Sequence, residues 1–113
     1  MQYAALDFET ASNQTPGRIC SAGVVLFDET GFQDEYYTLC DPGCSMDPGC
    51  QMVHGLTEAM VETAPPIADM LADLAALFDG RTVVAHSAGF DIKQLLAAIQ
   101  REGASSSDLI VYK

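Results

Sequence analysis

Two carboxylates stand one residue apart near the start of the chain, in Asp7-Phe8-Glu9-Thr10. They follow an apolar run, Tyr3-Ala4-Ala5-Leu6, that reads as a strand. Alternate side chains of a strand share a face, so Asp7 and Glu9 point the same way. Two acids side by side at the end of a buried strand repel, and a cation or a shared proton must offset them. Hard oxygen pairs of this kind suit Mg²⁺ or Mn²⁺, with water and substrate phosphates completing the shell. The bland alternative is a strand that surfaces into an acidic loop, and Asp-x-Glu alone does not decide between them.

A third acid, Asp91, falls in the first turn of an expected helix, after an apolar strand that ends at Ala85. In a sheet with helices on its faces, sites form beyond the strand ends. If the strand ending at Ala85 lies parallel to and beside the first strand, Asp91 approaches Asp7 and Glu9. Otherwise Asp91 only complements the helix dipole. Asp69 and Asp73 also share one helix face, which reads as a solvated face.

The elements that must position these groups follow from periodicity and breakers. The first strand is expected over residues 2–8, with a polar loop over 11–17. Residues 18–27 form the longest strand candidate, a turn follows at Asp28-Glu29-Thr30-Gly31, and residues 32–39 read as the return strand. The three make an antiparallel meander. Residues 41–49 read as a loop rich in Pro, Gly and Cys, and Thr57 as the cap of a short helix over 58–62. Pro65-Pro66 open a helix whose apolar face is Ile67, Met70, Leu71, Leu74, Leu77 and Phe78. A short strand, expected to be central, spans 82–85. The next helix buries Ile92, Leu95, Leu96 and Ile99 and stops at Gly103. A serine-rich connection at 104–107 and the start of a further strand at 108–112 complete the expectation.

Composition narrows the class. With 113 residues and 49% apolar content, the chain is expected to be one globular domain. No apolar run is long enough for a membrane span and no basic n-region opens the chain, so a cytoplasmic protein without a membrane partner is expected. Five Lys+Arg stand against 16 Asp+Glu, a net charge of −11. That argues against a broad footprint on duplex nucleic acid, though not against a grip on a single-stranded end. Cys20 reads as a small buried hydrophobe. Cys40, Cys44 and Cys50, followed by His54, have a non-standard spacing for zinc, and a reducing compartment disfavours disulfides.

Four ordered stretches together carry a family resemblance. They are Leu6-Asp7-Phe8-Glu9-Thr10-Ala11, Ile19-Cys20-Ser21-Ala22-Gly23, Val53-His54-Gly55-Leu56-Thr57 and Val84-Ala85-His86-Ser87-Ala88-Gly89-Phe90-Asp91. The set resembles the DEDD 3′–5′ exonucleases, most closely the proofreading group similar to the DNA polymerase III epsilon subunit. The resemblance implies an α/β, ribonuclease H-like mixed sheet with helices packed on it. It implies Asp7, Glu9 and Asp91 as catalytic metal ligands for two Mg²⁺ or Mn²⁺ ions. Thr10, Ala11 and His54 are implied near the terminal nucleotide, with a loop-fixing hydrogen bond the structural alternative for His54. The implied substrate is a single-stranded DNA or RNA 3′ end, and a polymerase or other replication or repair protein is an implied partner.

Two departures qualify the match. Ser87 stands where the family often has Asn. More seriously, the family's third motif, a later helix with a His or Tyr base and a final metal-binding Asp, has no counterpart: Asp108 is preceded five residues earlier by Gly103. A C-terminally incomplete domain with weak or no activity by itself is therefore expected, since losing a general base costs about 10²–10⁴ in rate. The alternative is a non-catalytic interaction module that keeps the exonuclease fold.

Overall fold

A computed structural model describes residues 1–103 of the chain. The expected connection at 104–107 and strand at 108–112 lie outside the described residues. Four strands form one mixed sheet in the order β3-β2-β1-β4: β1 (Gln2–Thr10), β2 (Ile19–Asp28), β3 (Gly31–Leu39) and β4 (Thr82–Val84). β1 pairs antiparallel with β2 from Gln2↔Asp28 to Thr10↔Ile19, and β2 pairs antiparallel with β3. β4 runs parallel to β1 through Tyr3↔Thr82, Ala4↔Val83 and Ala5↔Val84. The expected meander and the parallel fourth strand are both present. The central place, however, belongs to β1 and β2; among the described residues β4 is an outer strand.

Helices α3 (Ile67–Phe78) and α4 (Ala88–Glu102) cover one side of the sheet, α3 against β2 and α4 against β1. The sequence explains which side. In β1 the even positions Ala4, Leu6, Phe8 and Thr10 are buried, while Asp7 on the alternate face is exposed and Glu9 half-buried. Leu6, Phe8, Val24, Leu26, Ile67, Met70, Leu71, Leu74, Phe78, Leu95 and Ile99 share the main core. Burying each such side chain contributes roughly 1.5–3 kcal/mol. A second cluster of Ala11, Cys20, Met46, Cys50 and Val61 sits at the far end of β1 and β2. It is closed by α1 (Pro48–His54) and α2 (Glu58–Val61).

Helix α1 corrects the expected loop. Asp47 caps it by accepting the Gly49 N–H at 2.7 Å, Pro48 occupies its first turn, and Gly55 ends it in the left-handed region. An Asp followed by Pro is a helix-start signal, outweighed in the sequence by neighbouring Gly and Cys. α2 begins at Thr57, as expected, with its hydroxyl accepting the Met60 N–H at 3.3 Å. Leu96 is also a correction: it is 52% exposed. The inward stripe of α4 is Asp91, Gln94, Leu95, Ala98 and Ile99, so two buried polar groups rotate the helix and leave Leu96 outside. Asp69 and Asp73 are both exposed, as expected of a solvated face, and Asp73 also accepts the Tyr36 O–H at 2.9 Å from β3.

Candidate active site

β1 outlasts its parallel neighbour. Pairing with β4 ends at Ala5↔Val84, whereas β1 continues to Thr10. Beyond that point the β4 side of β1 has no partner strand among the described residues, and a backbone N–H there needs an acceptor. Asp91 supplies it: its Oδ1 accepts the Phe8 N–H at 3.3 Å. The bond spans 83 residues of sequence and draws the first turn of α4 to the strand that carries Asp7 and Glu9. Asp91 is 3% exposed.

The electrostatics report the same proximity. Burial raises the Asp91 pKa above the ordinary aspartate range, and the charges of Asp7 and Glu9 raise it further, against the lowering effect of the Phe8 N–H. Partial burial raises the Glu9 pKa, and Asp7 adds to it. Asp7 and Glu9 thus oppose ionisation of Asp91, and Asp7 opposes that of Glu9. No three His, Cys, Asp or Glu side chains close around a common point among the described residues. Asp7, Glu9 and Asp91 form an open set of hard oxygen donors whose mutual repulsion a divalent cation would relieve. That donor chemistry fits Mg²⁺ or Mn²⁺, with substrate oxygens and water left to complete the shell.

Beside Asp7 the side of the sheet away from α3 and α4 forms a depression of about 690 Å³ among the described residues, lined in part by Ala5, Gly23, Val25, Tyr37 and His86. Gly23 pairs directly with Asp7, so no side chain stands beside the carboxylate from β2. Phe90, just before Asp91, is 46% exposed and His86 is exposed. In the sequence Phe90 is marked only as an aromatic directly before Asp91; its exposure beside a buried acid is a property of the fold.

The residues expected near a terminal nucleotide are placed differently. Thr10 and Ala11 are buried, Ala11 in the second core cluster. Their side chains pack inward, so what lies near the acids is the backbone they fix. His54 reaches that backbone. Its Nδ1 accepts the Leu56 N–H at 3.0 Å, which leaves the proton on Nε2 to be donated to the Thr10 carbonyl at 2.9 Å. The loop-fixing hydrogen bond is therefore present, and both ring nitrogens are used in it.

The cysteines do not converge. Cys40 donates to the Ile19 carbonyl at 3.1 Å in the main core, Cys50 donates to Asn13 Oδ1 at 3.3 Å, and Cys44 is exposed. Burial pushes the Cys20 and Cys40 thiols up to about 12, which suits small core hydrophobes rather than nucleophiles.

A parallel-plus-antiparallel sheet with acids at the end of its central strand and at the start of a covering helix defines a ribonuclease H-like fold. The chain belongs to the exonuclease family: the family model described as Exonuclease matches residues 4–106. The DNA polymerase III subunit epsilon of Treponema pallidum (strain Nichols) is 29% identical over 98 residues, covering 86% of this chain and 46% of that protein. A solved structure of exonuclease X in complex with 5′ overhanging duplex DNA is 27% identical, with TM-score 0.72 over 82% of this chain and 53% of that one. Exonuclease I in complex with an inhibitor matches 99% of this chain and 28% of its own with TM-score 0.84, at 15% identity. The chain thus spans about half or less of each of these proteins.

Proposed function

We propose that this domain takes part in metal-dependent 3′–5′ hydrolysis of single-stranded DNA or RNA ends, with Asp7, Glu9 and Asp91 as its metal-binding acids. The observation that carries this reading is the Asp91–Phe8 contact, which brings a sequence-distant carboxylate to the strand bearing the other two. Asp7, Glu9 and Asp91 would hold divalent metal, which would supply Lewis-acid chemistry for phosphodiester cleavage. The chain's own residues do the rest. Asp7 and Glu9 present oxygens on the open side of β1. Asp91 does so from α4 while holding the Phe8 N–H. His54 fixes the Thr10 carbonyl, and with it the strand end that borders the site. Phe90 offers a half-exposed ring on which a terminal base can stack.

After Asp91 the sequence contains no histidine and one aspartate, Asp108, outside the described residues. With Gly103 rather than a His or Tyr base five residues before that aspartate, turnover by the 113 residues alone is slow, about 10²–10⁴ below that of a site with a working general base. A 3′-labelled single-stranded oligonucleotide tests the reading. The expected result is slow Mg²⁺- or Mn²⁺-dependent loss of label that disappears in Asp7→Asn. Loss from the 5′ end, or loss unaffected by Asp7→Asn, contradicts it. A polymerase or other replication or repair protein is the proposed partner, because relatives in this family include a polymerase subunit. A cytoplasmic location is proposed with it.

A further inference from the structure

Holding three mutually repelling acids together in the absence of a cation requires a restraint that does not depend on the acids themselves. The Phe8 N–H to Asp91 bond is long at 3.3 Å, and it uses a carboxylate that the site needs for another purpose. Stronger contacts lie further along α4. Gln94, one turn after Asp91 and 6% exposed, accepts the Gly17 N–H through Oε1 at 2.7 Å. Arg101, two turns further, donates Nη1 to the Gly17 carbonyl at 2.9 Å and Nη2 to the Pro16 carbonyl at 2.7 Å.

Gly17 is built for this approach. Its φ is +83°, and a Cβ there would lie 2.5 Å from Arg101 Nη2 and 2.7 Å from the Ala98 nitrogen. From Gly17 the connection to the acids is short. The next residue, Arg18, accepts the Ala11 N–H on its carbonyl at 2.8 Å. Ala11 follows Thr10, and Thr10 follows Glu9 at the bulge that ends β1. The Pro16–Gly17 end of the β1–β2 connection is thereby bonded to the helix that carries Asp91, and the Ala11 end is tied to that end through Arg18.

We infer that Gln94, Arg101 and Gly17 form a clamp that sets the spacing between Asp91 and the Asp7–Glu9 pair, and so the affinity of the site for divalent metal. Gln94 and Arg101 are positioning residues that touch neither metal nor substrate. The inference rests on the metal-binding reading given above. Outer residues that orient ligands are worth about 10–100-fold in metal affinity.

Mn²⁺ titration of the 113-residue chain, with free Mn²⁺ followed by electron paramagnetic resonance, separates the possibilities. Arg101→Met and Gln94→Asn are expected to weaken Mn²⁺ binding about tenfold. Arg81→Met is the control. Arg81 also bonds a backbone carbonyl, that of Leu77 at 2.7 Å, but it adjoins Thr82, whose partner Tyr3 lies at the opposite end of β1. Its Mn²⁺ affinity is expected to stay within about twofold of the parent. Where Arg101→Met does not fold, Gln94→Asn decides. Parent-like affinity in the clamp variants overturns the clamp while leaving the acidic site intact. Losses that track melting temperature equally in Arg81→Met also overturn it, because the contacts are then merely structural. Absence of Mn²⁺ binding by the parent, or parent-like binding by Asp7→Asn, overturns the metal site and the clamp together.

Discussion

The two sides of β1 follow opposite rules. Toward the helices, Ala4, Leu6 and Phe8 are packed against α3 and α4 and contribute to a dry core. On the side away from α3 and α4, Asp7 and Glu9 add their charges to the burial that raises the Asp91 pKa. One strand with a two-residue period does both, and the contrast shows how a small domain isolates its strain: burial on one side stabilises the platform on which repulsion on the other is tolerated.

The largest expected effect lies on the packed side. Phe8→Ala removes a ring that is 2% exposed and costs about 3–5 kcal/mol, measurable as a lower urea midpoint. Glu9→Gln, one residue away, sharpens the contrast. It leaves folding stability within about 0.5 kcal/mol or better than the parent and lowers Mn²⁺ affinity at least about tenfold.

Asp91→Asn tests the strain itself. The amide keeps an acceptor for the Phe8 N–H and removes the buried charge. In EDTA at pH 7 it should raise stability by about 0.5–2 kcal/mol. The sign follows from the raised pKa of Asp91. An acid whose folded pKa exceeds its unfolded value binds protons more readily when folded, so its destabilising effect grows as pH rises from the unfolded value near 3.8 through the folded one. The advantage of Asp91→Asn is therefore present at neutral pH and vanishes below about pH 3.8. An equal advantage at both pH values would show that charge is not the cause. The smallest effect belongs to Tyr36→Phe, which removes the bond to Asp73, costs about 0.5–1.5 kcal/mol in thermal unfolding and leaves Mn²⁺ affinity unchanged.

Local pattern made the platform legible. Alternation in β1 and the turn at Asp28–Gly31 marked the meander, and the apolar stripe from Ile67 to Phe78 marked α3. Helix α1 was less legible because Pro-Gly-Cys composition masks the Asp47–Pro48 start. Leu96 was misplaced because a hydrophobic stripe cannot show that Asp91 and Gln94 turn inward. Thr10 and Ala11, expected beside substrate, have buried side chains: Thr10 continues the inward alternation of β1 and Ala11 packs in the second core cluster, so only their backbone faces the strand end.

The sequence by itself determined the strand carrying Asp7 and Glu9, the helix carrying Asp91 and the acidic balance of the chain, because periodicity and residue type are local properties. Only the tertiary structure decided that β4 stops short of the end of β1, leaving the Phe8 N–H for Asp91. It also decided that Gln94 and Arg101 grip the loop at Gly17. Contacts across more than 70 residues depend on where the sheet ends and how a helix is rotated, and no short-range pattern encodes either.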